Sequence, residues 1–223
     1  KEISKQQNTF LFNTLESLTL GSGLPMPRVH LINDDSINAF ATGRDPKHAS
    51  LAVTKGCLMK LSKEELEGVL AHEVSHIKNF DIRFMVLVSV MVGTIVMLSD
   101  FFLRGFLFAG SDRDNNKANF IVLAIGVALA ILSPIIAQLI QLAISRKREY
   151  LADASGSLLT KNPKGLANAL KKISNDHKVL RTANHATSHL FISNPFKDRR
   201  TWFNNLFSTH PPIESRIKEL EKL

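Results

Sequence analysis

The sequence predicts a mainly α-helical fold with a small β-sheet and a helical hairpin that crosses a membrane. Three observations predict it. Two long blocks, Phe84–Ser99 and Phe120–Ser145, carry no charged residue. The stretch Leu66–Asp81 reads as a helix, with Leu66, Val69, Leu70 and Ile77 at helical spacing. Short runs of strand-forming residues, bounded by Pro, Gly, Asn and Asp, fill the region from Pro25 to Gly56.

The elements follow in order. Ile3–Leu20 is expected to be amphipathic and helical, with Phe10, Leu11, Leu15 and Leu18 on one face. Gly21-Ser22-Gly23 ends it, and Pro25 and Pro27 keep the next residues extended. Strands are expected at Arg28–Ile32, Asn38–Gly43 and Ser50–Thr54, the last ending near Gly56, with Asn33–Ser36 as a turn. An edge strand of such a sheet could pair with an extended peptide. Ser62 and Glu65 match a capping box at the start of the next helix.

The apolar residues Phe84–Leu103 would span about 30 Å as a helix, the thickness of a bilayer core. Gly110–Asn119 is polar and reads as a turn. Phe120–Ser145 is the second span, with Pro134 tolerated in lipid and Gln138 and Gln141 facing a neighbouring helix. Lys161–Leu180 reads as an amphipathic helix, with Leu166, Leu170 and Ile173 on one face. Thr182–Arg200 is a long polar flap whose His185 and His189 read as surface residues, and Trp202–Phe207 is an apolar patch. Ile213–Leu223 closes the chain as a helix announced by Pro211-Pro212. The chain thus divides into 1–81, a span over 82–109, a loop over 110–119, a span over 120–145, and 146–223.

Composition narrows the partners. Lys and Arg number 28 against 20 Asp and Glu, a net charge of +8. With one Trp, one Tyr and no nucleic-acid motif, the basic excess points to a membrane and not to nucleic acid. Lys78, Arg83, Arg146, Lys147 and Arg148 flank one end of the hairpin. The other end carries Arg113 and Lys117 beside Asp112 and Asp114. The more basic end is expected in the cytoplasm. Cys57 is the single cysteine, so no disulfide closes within the chain. The first residue is Lys1 and not Met, and the sequence reads as a piece of a longer protein.

The chemistry concentrates at His72-Glu73-Val74-Ser75-His76. Histidines at i and i+4 lie on one helical face and can share one metal ion, typically Zn2+. Glu73, beside the first of them, is placed to act as a general base. A catalytic zinc needs a third protein ligand. A hairpin returns the chain to the membrane face it left, so Glu149, just after the second span, falls beside His72 and His76. Asp153, one turn on, can fix the tautomer of a ligating histidine. His210 is a candidate donor to an oxyanion, and Asn38 a second one.

These residues resemble a known group. His72–His76, followed after a hairpin by Arg148-Glu149-Tyr150-Leu151-Ala152-Asp153, is similar to the HtpX family of membrane zinc metalloproteases, relatives of the CAAX prenyl protease and Oma-type peptidases. Asn38–Gly43 and Ser208–Pro212 also match. The resemblance implies a gluzincin-like catalytic domain on the cytoplasmic side of the bacterial plasma membrane. It implies Zn2+ on His72, His76 and Glu149, Glu73 as acid and base, and His210 beside the metal. It implies a substrate strand paired along Asn38, Ala39, Phe40, Ala41 and Thr42. The expected activity is endoproteolysis of misfolded or membrane proteins in quality control. Bacterial family members usually carry two further N-terminal spans; Lys1–Leu20 is polar and amphipathic instead, as expected of a sequence that is a piece of a longer protein. The rival readings are a prenyl-protein protease and a membrane adaptor with a structural zinc.

Overall fold

The computed structural model describes residues 1–109, 117–176 and 209–223. His185, His189, the Thr182–Arg200 flap, Trp202–Phe207 and residues 110–116 of the expected loop lie outside the described residues.

Helix α1 spans Thr9–Ser22 and not Ile3–Leu20. The side chain of Asn8 accepts the Leu11 N–H and starts the helix there, and Gly23 ends it in the left-handed region at φ 71°. The residues before Asn8 go elsewhere. Ile3 N–H donates to Val29 O, Leu31 N–H donates to Lys1 O, and the Lys1 amino group donates to Leu31 O. Residues 1–3 line the outer edge of strand β1, Arg28–Ile32. Strand β2 is Ala39–Thr42 and β3 is Ser50–Thr54. The sheet order is β1-β3-β2, with β1 parallel and β2 antiparallel to β3. Strand β2 is therefore an edge of this sheet.

A short helix that periodicity did not reveal, α2, Lys55–Lys60, follows β3 directly. The Thr54 side chain accepts the Cys57 N–H and turns the strand into that helix. Cys57 is fully buried, and burial pushes its thiol up to about 12.

Helix α3, Lys63–Lys78, begins with the expected capping box between Ser62 and Glu65. It ends earlier than the pattern suggested. Asn79 caps it, Phe80 takes φ 55°, and Asp81 opens helix α4, Asp81–Ala109. Helix α5 runs without interruption from Lys117 to Thr160, through Pro134 and through Glu149 and Asp153. Lys117–Asn119, expected in the loop, are already helical. Helix α6 is Pro163–Asn175, capped by Asn162, and α7 is Ile213–Leu220, with Pro212 at its N-cap.

Two compact units emerge, 1–83 with 145–223, and 84–144. In the first, α3 is the central element, packed on α1, β2 and α6. Leu11 and Leu15 of α1, Leu51 and Val53 of β3, Val69, Leu70 and Val74 of α3, and Leu166 and Leu170 of α6 form one buried cluster. Two glycines let backbones meet. A Cβ on Gly68 would stand 2.6 Å from Leu166 N, and one on Gly156 would stand 2.9 Å from His72 N. The second contact sets α5 against the helix that carries His72. Gly156→Ala is expected to lower stability by about 1–3 kcal/mol through overpacking. Thermal melting of the purified chain measures it, and an unchanged midpoint would show that α3 and α5 separate freely.

The second unit comprises the apolar parts of α4 and α5. Both helices are long and apolar enough to cross a membrane, and little of their apolar length is buried. Val90, Met97 and Phe101 of α4 and Ile136 and Ile140 of α5 are all more than half exposed. Apolar side chains turned outward along such lengths are what lipid, not water, solvates. Gln141 donates to Ser89 Oγ at 2.9 Å, so one of the two expected polar groups does join the helices.

Candidate metal centre

The i and i+4 spacing on α3 brings the two imidazoles together with Nε2 of His72 and Nε2 of His76 3.1 Å apart. Helix α5 supplies Glu149, whose Oε1 lies 3.5 Å from His76 Nε2 and whose Oε2 lies 3.8 Å from His72 Nε2. The three ligand atoms fall within 4.8 Å of one another. His72 is fully buried, Glu73 is 2% exposed and Glu149 is 7% exposed. His76 is the most exposed of the three, with 16% of its side chain accessible, and the ligand atoms are close enough to share one ion.

The other ring nitrogens are engaged by carboxylates. Nδ1 of His72 is 2.9 Å from Asp153 Oδ1, and Nδ1 of His76 is 2.6 Å from Asp81 Oδ2. Burial pulls the His72 imidazole down to about 4, so this pair is a hydrogen bond from a neutral ring and not an ion pair. A proton held on Nδ1 leaves the Nε2 lone pair for a metal.

Arg216 of α7 is fully buried and organises the carboxylates. Its Nε and Nη2 donate to the two oxygens of Asp153 at 2.8 and 2.6 Å, and its Nη1 is 3.0 Å from Glu149 Oε2. His210 Nδ1 lies 3.2 Å from the same oxygen. Burial pushes the Glu149 carboxyl up, but His210 and Arg216 outweigh it and hold the group well below the usual carboxylate range. Asp153 is also held low, because Arg216 and His72 offset its burial.

Glu73 behaves differently. Burial pushes its carboxyl up to about 7, with Glu149 adding to the rise and the Ala41 N–H opposing it. It has a proton affinity suited to taking and giving a proton near neutrality. Its contact with Ala41 ties it to the edge strand β2.

The residues present suit a divalent cation. With the imidazoles of His72 and His76 neutral and Glu73 left out because burial pushes it up to about 7, Asp81, Glu149 and Asp153 face two guanidinium groups, Arg148 and Arg216. The surplus of buried negative charge is what a dication balances. Two imidazole nitrogens and one carboxylate are a catalytic zinc donor set.

A family model, Peptidase family M48, matches residues 5–223. The chain belongs to peptidase family M48. As an M48 chain it is a metallopeptidase that acts on polypeptides. A protease HtpX homolog of Caldanaerobacter subterraneus subsp. tengcongensis is 49% identical over 217 residues, 96% of this chain and 71% of that protein. One of Tropheryma whipplei strain Twist is 46% identical over all of this chain and 75% of its own length. The crystal structure of Ste24p of S. mikatae shares the fold at TM-score 0.62 and 23% identity. It is covered over 95% of this chain and half of its own length.

Of the sites expected in this M48 chain, His72, Glu73, His76, Glu149, Asp153 and His210 come together. Strand Ala39–Thr42 lies against α3 and reaches Glu73 through Ala41. Asn38 does not join them. Its side chain accepts the Ala39 N–H, and its backbone oxygen accepts from Thr54 N–H, Thr54 Oγ1 and Cys57 Sγ. Among the described residues it fastens β2 to β3 and α2 and makes no hydrogen bond to the cluster. Two further residues join the site that the motif spacing does not point to. Asp81 follows directly on the α3 pattern and reads as its last residue. Arg216 falls on the stripe Ile213, Ile217 and Leu220, where a charge signals a buried partner.

Proposed function

We propose that this chain is a zinc-dependent endopeptidase anchored by α4 and α5, with the unit formed by 1–83 and 145–223 on the cytoplasmic face of the plasma membrane. The observation that carries the reading is the separation of roles within a few ångströms. His72, His76 and Glu149 converge as ligands, while Glu73 is outside that set with a carboxyl near neutrality. A structural metal site has no use for such a carboxylate.

Zinc bound by His72, His76 and Glu149 would supply a Lewis acid for the scissile carbonyl and acidify the attacking water. Glu73 takes the proton of that water on its carboxylate and gives one to the leaving amine nitrogen. His210, beside Glu149, donates an imidazole N–H to the developing oxyanion. Asp153 keeps the proton of His72 on Nδ1. The substrate runs extended beside Ala39–Thr42 and pairs through its backbone, so sequence preference is loose. Loose recognition of extended segments fits the clearance of misfolded and membrane proteins.

The test is cleavage of an unfolded casein-like substrate by detergent-purified protein. A chelator should abolish it, and stoichiometric zinc should restore it. Cleavage that persists in a chelator would remove the metal from the reaction. Reconstitution in vesicles of known sidedness checks the orientation.

A further inference from the structure

The two imidazoles of the metal centre are steadied by carboxylates in different settings. Asp153 holds His72 in the interior, beside the fully buried Arg216. Asp81 holds His76 at the end of α3, and its counter-charge is Arg148, whose side chain is 21% exposed. Arg148 also donates to the backbone oxygen of Asn79 at 2.6 Å. One guanidinium therefore touches the cap of α3 and the first residue of α4, and it comes from the position on α5 directly before Glu149.

We propose that Asp81 and Arg148 form a clasp that positions His76 against Glu149, with Asp81 a positioning residue for the imidazole and Arg148 a positioning residue for Asp81. The turn between α3 and α4 is built for it. Phe80 adopts φ 55°, which a bulky residue rarely does, and the chain reverses so that Asp81 reaches back five residues to His76. Asp81 is 5% exposed, so it is not an ordinary surface acid. Its carboxylate accepts the Nδ1 proton and leaves Nε2 facing Glu149. Arg148 engages the other oxygen of that carboxylate. His76 and Glu149 lie on helices joined only through a long excursion of the chain, and the clasp sets their distance locally.

The bland alternative is that Asp81 only satisfies the start of α4, where an acidic residue is favourable. Asp81→Asn separates the two roles. Asn serves a helix N-terminus nearly as well as Asp. Its amide can flip and donate to Nδ1, which moves the ring proton to Nε2 and blocks the ligand atom.

The inference rests on the metal reading of this site. Zinc affinity is measured by competition with a fluorescent chelator on the detergent-purified full chain, with the visible spectrum of the cobalt-substituted protein beside it. Asp81→Asn should weaken zinc binding about 10- to 100-fold and shift the cobalt bands, with little change in the melting of the metal-free protein. Arg148→Gln should weaken binding less than Asp81→Asn, and Arg148→Lys less again. In the double variant the two losses should not add. Wild-type affinity and an unaltered cobalt spectrum in Asp81→Asn would overturn the clasp. So would a loss of affinity that merely follows a fall in metal-free stability. Wild-type protein that binds no zinc would overturn the metal reading itself, a different result from either of these.

Discussion

Glu73→Gln should leave zinc bound and lower the rate of peptide cleavage by about 10²- to 10⁴-fold, the usual contribution of general acid–base catalysis. The substitution keeps the shape of the side chain and an oxygen for the Ala41 N–H. It removes the carboxyl proposed to carry the proton. Burial pushes the Glu73 carboxyl up to about 7, a range in which it can both take and release a proton near neutral pH. The proposed ligands His72, His76 and Glu149 are untouched, and metal content should stay at the wild-type value. The two readouts, metal per chain and cleavage rate, separate a lost base from a lost site. A Gln variant with wild-type turnover would show that the proton travels by another route.

Arg216→Met should be the most destabilising single change in the unit that carries the metal centre. Arg216 is fully buried, with Asp153 and Glu149 on its fork. Methionine fills much of the volume but leaves two carboxylates facing one another without their counter-charge. Removing one partner of a buried ion pair typically costs about 3–5 kcal/mol. The loss should be larger in metal-free protein than in zinc-saturated protein, because a bound cation supplies charge to the same carboxylates. Melting with and without zinc measures both. Arg216→Lys, which keeps the charge but not the planar fork, should fall between the wild type and Met. Equal midpoints for wild type and Met in chelator would show that Asp153 and Glu149 are satisfied without Arg216.

Both predictions concern side chains whose positions were unequally visible in the sequence. Glu73 is fixed by its place in a local pattern: once α3 forms, His72, Glu73 and His76 have their faces assigned. The capping box at Ser62 and Glu65 marks where that helix begins, and the structure has it there. The strands Arg28–Ile32 and Ser50–Thr54 have the expected bounds, because turn residues flank them. The end of α3 was not visible. Nothing in Asn79-Phe80-Asp81 announces a left-handed Phe80, so Asp81 looked like one more helical residue. The start of α1 was missed because residues 1–3 bond to β1, a partner that periodicity cannot name.

The sequence by itself determined the two apolar helices, the α3 face that bears the imidazoles and the placing of Glu149 one hairpin away, since each follows from spacing along a few turns of chain or from length against the thickness of a bilayer. Only the tertiary structure decided what surrounds that face. Arg216 reaches His72 across a separation of 144 residues and Asp153 across 63, and Arg148 reaches Asn79 across 69. Contacts of that kind depend on which helices pack together, and local spacing carries no record of them. The edge position of β2 is of the same sort: it follows from β3 pairing with both other strands, a matter of sheet order and not of any one strand's composition.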